Sequence, residues 1–354
     1  MNADVLIIGG GLSGLSCALQ CEQRGIDWQL IEARDRFGGR ILSVQDEAGA
    51  AYDLGPAWFW PGQPRMDALM RRLGLERFEQ YSKGKLVFED PAGKIQRDYE
   101  FATMAGSYRV VGGLGLLIKR LVEQLPSDRL HLKTGAQGIR RKDNRVEVEG
   151  SRQDQSWNSQ HVILALPPRL AAEKISFGDQ LPTGALSAMR GVPTWMAGQA
   201  KIIALYDKPF WREAGLNGDA ISHLGPMAEI HDASPENGKS YALFGFVSAP
   251  VTARKNQAET IKEASLAQLV RLFGEYAALP RQLILKDWAF DPETSVDLDH
   301  TPLKDHPDYK LPTKLSELWD NSIILAGTET GREFGGYLEG ALEAADAAIS
   351  KLSI

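Results

Sequence analysis

Four residues into the chain, polar positions give way to Val5-Leu6-Ile7-Ile8, an apolar run rich in β-branched side chains. A run without polar alternation predicts a strand buried on both faces, as in a parallel sheet. Gly9-Gly10-Gly11-Leu12-Ser13-Gly14 follows, then a helical pattern to about Arg24, which Gly25 stops through its freedom to take a positive φ. Trp28–Ile31 predicts a second strand that ends in Glu32, completing a βαβ half-unit.

Farther along, the two periods mix. Helical spacing predicts helices over Met66–Leu73, over Leu114–Leu125 after the flexible Gly112-Gly113, and over Gln257–Tyr276. The last, the longest, sets Ile261, Leu266, Leu269, Val270 and Phe273 on its apolar side. Strands are expected at Leu130–Leu132, Arg145–Val148, Val162–Leu166 (broken by Pro167-Pro168), Lys201–Tyr206, Tyr241–Val247, Leu283–Trp288 and Ile323–Ala326. The stretch 289–318, with Pro292, Pro302, Pro307 and Pro312, reads as loop, and Tyr337 begins a closing helix. No repeat and no low-complexity tract interrupts this order.

At roughly 150 residues per domain, 354 residues predict two domains or one large interwoven α/β unit. With 43% hydrophobic and 24% charged residues, the chain can bury a core without a disulfide or metal staple. Lys+Arg number 40 against 46 Asp+Glu, a net charge of −6, which excludes bulk nucleic-acid or anionic-membrane binding. The only two cysteines, Cys17 and Cys21, share one helix face and read as small buried side chains. Six histidines form no ligand spacing, so no metal is expected. The N-terminus lacks the basic segment of a signal peptide, and no run approaches the roughly 20 apolar residues of a membrane span. These features lead to the expectation of a cytoplasmic protein; none specifies an oligomeric state.

Gly9-x-Gly11-x-x-Gly14 follows a buried strand and opens a helix, and Glu32 ends the next strand. In that context the glycines allow a tight turn, close approach of backbone to a pyrophosphate, and close packing of helix on strand. The helix N-terminus offers free N–H donors to the phosphates. Glu32 is placed for the adenosine ribose hydroxyls, and its charge disfavours a 2′-phosphate. After Glu32 comes Ala33-Arg34-Asp35-Arg36-Phe37-Gly38-Gly39-Arg40, a second glycine pair with flanking arginines that a plain NAD site does not need.

Here the sequence resembles the flavin-containing amine oxidases, whose E-A-R-D-R-x-G-G-R signature matches Glu32–Arg40. Asp53-Leu54-Gly55-Pro56-Ala57-Trp58 is similar to the family's second glycine loop, beside the flavin ring. Gly112–Leu116 is similar to its G-G-x-x-x-L helix start, and Lys201–Trp211 to the strand bearing its active-site lysine. Ala326–Thr330 with Gly336–Ala341 is similar to its C-terminal flavin signature. The motifs run collinearly from residue 5 to 348.

The resemblance implies an α/β fold, a Rossmann-type FAD-binding domain (1–76, 113–190 and 300–354) interleaved with a smaller mixed-sheet α+β substrate domain (77–112 and 191–299). It assigns FAD binding to Gly9, Gly11, Leu12, Ser13, Gly14, Glu32, Ala33, Arg34, Gly39 and Arg40, with Arg34 and Arg40 in the pyrophosphate region. Gly55, Pro56, Ala57 and Trp58 would lie near the ring, and Ala136 or Gln137 would reach the adenine. Gly327, Thr328 and Glu329 would sit by the ribityl-phosphate chain, and Gly336, Tyr337 and Leu338 by the flavin, with the Leu338 N–H facing N1/O2. Lys201, holding a water near N5, and Tyr337, a wall of an aromatic amine cage, would be catalytic. Trp288 reads as structural. The implied reaction carries hydride from the α-carbon of an amine to flavin N5; the imine then hydrolyses and dioxygen becomes hydrogen peroxide.

Two departures qualify this. No cysteine exists beyond Cys21, so FAD is expected to be non-covalent. Leu298 occupies the place of the second cage tyrosine, leaving one wall unless Trp58, Trp60 or His300 substitutes. The segment 61–111 is also short for the family. The missing wall keeps two alternatives in view, a desaturase-like or protoporphyrinogen-oxidase-like enzyme acting on C–C bonds and a non-catalytic flavin-binding accessory protein.

Overall fold

A computed structural model describes every residue except Gln153, Asp154, Pro302, Lys304 and Ile354. Pro302, expected within the long loop, and Ile354, in the closing segment of the expected FAD domain, therefore lie outside the described residues. The chain opens with β1 (Asn2–Ile8), α1 (Leu12–Arg24) and β2 (Trp28–Ile31). A hairpin of β3 (Ser43–Gln45) and β4 (Ala51–Asp53) leads through α2 (Pro64–Arg72) and β5 (Arg77–Glu79) to β6 (Lys85–Glu89) and β7 (Ile95–Tyr99). Then come β8 (Tyr108–Val110), α3 (Leu114–Val122), β9 (Leu130–His131), β10 (Ala136–Lys142), β11 (Arg145–Gly150) and β12 (Ser156–Leu164). After α4 (Pro168–Lys174) and α5 (Ala185–Gly191) follow β13 (Ala200–Tyr206), α6 (Phe210–Glu213), β14 (Leu216–Ser222), β15 (Met227–Asp232) and β16 (Tyr241–Val247). The chain ends with α7 (Val251–Arg254), α8 (Ala258–Phe273), β17 (Gln282–Asp287), β18 (Ile323–Leu325) and α9 (Leu338–Ser350).

Two seven-stranded sheets carry the architecture. The first runs β10-β11-β12-β1-β2-β9, with β18 on the second half of β12. Its centre is parallel, since β1 pairs in parallel with both β12 and β2. This explains the unbroken apolar run of β1: Val5, Leu6 and Ile7 are all wholly buried. Side chains of α1, α2, α3 and α9 cover one face, and the other packs on α4 and α5. The second sheet runs β17-β13-β16-β15-β14-β6-β7 and is antiparallel except where β6 joins β14. One face packs on α8; the other meets Tyr52, Leu54 and Trp58 from the first part of the chain.

The expected elements are present with shifted ends. The helix expected to Tyr276 stops at Phe273 because Gly274 takes φ +95°, and a short 3₁₀ turn follows. The strand expected from Val162 begins six residues earlier, at Ser156, because its first half alternates buried Trp157 and Ser159 with half-buried Asn158 and Gln160. The strands β14 and β15 have no clear apolar pattern, since their buried positions include Asn217, Asp219, His231 and Asp232.

Candidate active site

A cavity of about 970 Å³ runs from the C-terminal ends of β1 and β2 to the second sheet. Its near end is built by the glycine turn. Gly9 has φ +109°, and a Cβ there would come within 2.6 Å of the Ala165 carbonyl oxygen. No side chain caps α1, whose first internal bond is Leu15 N–H to Gly11 O, so the N–H groups of Leu12, Ser13 and Gly14 have no acceptor within the helix. The Ser13 hydroxyl is spent on Ala326 O at 2.5 Å, so only its backbone is free to act on a ligand. Glu32 is 4% exposed and lines the cavity. Its carboxylate is aimed by the N–H of Gly10 (2.6 Å) and of Arg34 (2.9 Å), leaving lone pairs for ligand hydroxyls.

Of the residues expected to touch the cofactor, Gly9, Gly11, Leu12, Ser13, Glu32, Ala33, Arg34, Gly39, Arg40, Gly55, Pro56, Ala57, Trp58, Ala136, Gln137, Gly327, Thr328, Gly336, Tyr337 and Leu338 line this one cavity, together with Lys201. Gly14 and Glu329 do not. Gly14 instead lets α1 approach β1, since a Cβ on it would lie 1.9 Å from Gly9 O. Glu329 is buried behind the wall and bonds Arg40 Nη1 at 2.7 Å. Arg34 Nη2 is held by Asp291 (2.5 Å) and Thr294 (2.8 Å), which ties it to the loop after β17 near Glu32. The sequence did not single out Arg36, which donates to the carbonyls of Phe37, Gly39 and Ile41 and so fixes the second glycine turn.

At the far end, α9 presents a second uncapped N-terminus whose first internal bond is Ala341 N–H to Tyr337 O. Glu339, in its first turn, is wholly buried, but its carboxylate accepts the N–H groups of Arg65 and Met66 at the start of α2. The positive end of α9 thus stays available to a ligand anion. Lys201 is 3% exposed, and Nζ donates to the carbonyls of Asp53 (3.1 Å) and Gly55 (2.7 Å). It also lies 4.2 Å from the Phe244 ring centroid. Burial pushes the Lys201 ammonium down to about 7, with Asp53 opposing and Arg109 assisting.

Tyr337 and Trp60 line this end edge-to-face at 6.0 Å. The second ring against Tyr337 is His306, stacked at 4.8 Å with a 12° tilt, although His306 does not reach the cavity. Leu298 is 53% exposed and outside the wall. His300 is also outside it and packs against Phe290. Trp288, read as structural, lines the cavity while donating to Leu54 O at 2.9 Å, so it also holds the Gly55 loop. Met104, Trp195, Met196, Gln199, Glu229 and Phe246 also line the cavity. Their sequence contexts carry no motif; only the pairing of β13, β16 and β15 brings Phe246 beside Lys201 and Glu229 beside Phe246.

Two helix N-termini and Arg40 for the phosphates, with the aimed Glu32 carboxylate for ribose hydroxyls, form a set suited to a dinucleotide with an attached ring system. Residues 12–91 and 84–348 match the sequence profile of the flavin-containing amine oxidoreductases. The chain belongs to that family, and it is an FAD-dependent oxidoreductase. A probable flavin-containing monoamine oxidase A of Dictyostelium discoideum is 25% identical, over 96% of this chain and 95% of its own length. The human flavin-containing amine oxidase B is 25% identical over 99% of this chain and 86% of its own. The first of these alignments spans 448 positions against 354 residues here, so this chain is a short member. Among solved structures, cyclohexylamine oxidase from Brevibacterium oxydans superposes with TM-score 0.84 at 19% identity, covering 99% of both chains. A putrescine oxidase bound to putrescine superposes with TM-score 0.81 at 21% identity, also over 99% of both chains. No helix among the described residues is long and apolar enough to cross a membrane.

Proposed function

We propose that the protein is an amine oxidase that removes hydrogen from the carbon next to the nitrogen of a small amine. The observation that carries this is the union in one cavity of the Glu32 end, Lys201 and the aromatic wall of Tyr337, Trp60 and Phe246. Flavin bound there supplies a two-electron acceptor, with dioxygen as the final oxidant. Segments 1–76, 113–190 and 300–354 hold the cofactor, and 77–112 and 191–299 shape the substrate end.

FAD is held without a covalent bond. Cys17 and Cys21 are wholly buried in α1, do not line the cavity, and burial pushes both thiols up, far from a reactive thiolate. Glu32 takes the ribose hydroxyls, and the first turn of α1 with Arg40 takes the pyrophosphate. The N-terminus of α9, at Leu338, favours negative charge beside it.

The aromatic wall excludes water and favours the neutral amine. Lys201, titrating near neutrality, has two N–H groups engaged by Asp53 O and Gly55 O when uncharged. Its lone pair then remains to accept from a water. Positioning of the amine supplies most of the rate. In air, an amine substrate should give aldehyde and ammonia in step with oxygen uptake. Flavin reduction by a substrate that releases neither would overturn this reading in favour of C–C dehydrogenation.

A further inference from the structure

Arg34, expected in the pyrophosphate region, has its guanidinium engaged by the protein itself. Nη2 donates to Asp291 Oδ1 (2.5 Å) and Thr294 Oγ1 (2.8 Å), and Nη1 lies 3.8 Å from Glu32 Oε1. Asp291 Oδ2 accepts in turn from Lys286 Nζ at 2.7 Å. Glu32, Arg34, Asp291 and Lys286 thus form a row of alternating charge that runs from the end of β2, in the first sheet, to β17, in the second. The Arg34 and Asp291 side chains are only 13% and 10% exposed, so water and salt screen the pair weakly.

Asp291 also shapes the segment that follows it. Its carbonyl accepts the N–H groups of Thr294 and Ser295, both at 3.0 Å, and Oδ1 accepts that of Glu293 at 3.2 Å, which closes a turn over 291–295. Glu293 and Thr294 of this turn line the cavity, and the bond from Arg34 to Thr294 puts them at the Glu32 end. Glu293 Oε1 lies 3.8 Å from Nζ of Lys174, the last residue of α4, which lines the same cavity. The segment is fixed on both sides. Before it, Trp288 donates its backbone N–H to Gln199 O and its indole N–H to Leu54 O, both at 2.9 Å. After it, Arg169 of α4 donates to Leu298 O (3.2 Å) and Asp299 Oδ1 (2.6 Å). Between these anchors no residue of 290–297 joins an apolar core, and Arg34 and Lys174 hold the turn by charge. A segment with few buried apolar contacts opens at less cost than the core around it.

We propose that the 291–295 turn is a latch that retains FAD at its adenosine end. Glu293 and Thr294 enclose the cofactor, and Arg34 with Asp291 is the positioning pair that shuts the turn. Arg34 serves the cofactor through the turn rather than as a phosphate ligand, which leaves the phosphates to α1 and Arg40. FAD bound without a covalent link then stays by closure from the second sheet's side, whatever substrate the enzyme oxidises.

The test measures FAD release from the full-length holoprotein on dilution and FAD association with the apoprotein, both by flavin fluorescence. Asp291→Asn keeps the size of the side chain and leaves Arg34 facing Lys286 with no anion between them. Release should quicken roughly tenfold or more, and association should quicken with it, because a shut turn also obstructs entry. Glu293→Lys should speed release about two- to fivefold, and adding Lys174→Glu should restore the parent rate by reversing the bridge. A substitution that merely loosened the fold would neither speed association nor be rescued by the reversed pair. Melting temperatures establish that each variant is folded. Should Asp291→Asn fail to fold, the Lys174 and Glu293 variants, on partly exposed side chains, decide alone. Slower release from Asp291→Asn would overturn the proposal, since Arg34, once freed, would then be binding phosphate. Unchanged release, faster release without faster association, or a reversed pair that fails to restore the parent rate would overturn it as well.

Discussion

Lys201 occupies a strand position where a full charge has little solvation, and two carbonyls and an aromatic face are its nearest company. Its ammonium is driven down to about 7, whereas in the unfolded chain it titrates near the ordinary 10.5. Between those values the unfolded state binds more protons, so stability should rise with pH across that window, by up to about 1.4 kcal/mol per pH unit from this group. Lys201→Met should flatten the rise, which melting temperatures of the two proteins from pH 7 to pH 10 would record. Parallel profiles would mean that Lys201 is not buried as a neutral amine. Glu32 is a second decisive residue. Glu32→Gln keeps the shape but removes a charge-assisted contact to the ribose, and should weaken FAD binding by about 1.5–3 kcal/mol. Flavin fluorescence on titrating the apoprotein measures that loss, and an unchanged Kd would remove Glu32 from the site.

Among the elements, α1 is the one whose placement the cofactor end depends on most. A Cβ on Gly14 would lie 1.9 Å from Gly9 O and 3.1 Å from the Ala165 Cβ, so Gly14→Ala should lift α1 from β1. The expected cost is roughly 1–3 kcal/mol of stability with loss of retained flavin. A Gly14→Ala protein that is yellow and as stable as the parent would contradict that packing. This end was legible in the sequence because its requirements fall on the backbone, and only glycine meets them at fixed spacing. The strands β14 and β15 were not, because buried Asp219 and His231 replace the apolar alternation that signals a strand. The ring stacked on Tyr337 was missed for another reason. Counting along the loop leads to Leu298, which is exposed, whereas His306, farther on, stacks on the tyrosine.

At the scale of the whole molecule, the cavity joins residues from 8 to 341 and is walled by both sheets. A ligand that fills it binds only the folded chain, so loading should stabilise the entire protein. At free FAD a thousandfold above its Kd, the gain should be about 4 kcal/mol, seen as a higher melting temperature for the holoprotein than for the apoprotein. Coincident melting curves would show that the flavin does not bridge the two sheets. One cavity is thus expected to hold FAD at one end and an amine against Tyr337 and Lys201 at the other. The most direct test is the visible absorption spectrum of the purified protein without oxygen, before and after a panel of amines. The expected result is a yellow protein whose flavin band one class of amines bleaches, with colour returning when air is admitted. A yellow protein that no amine bleaches would contradict it.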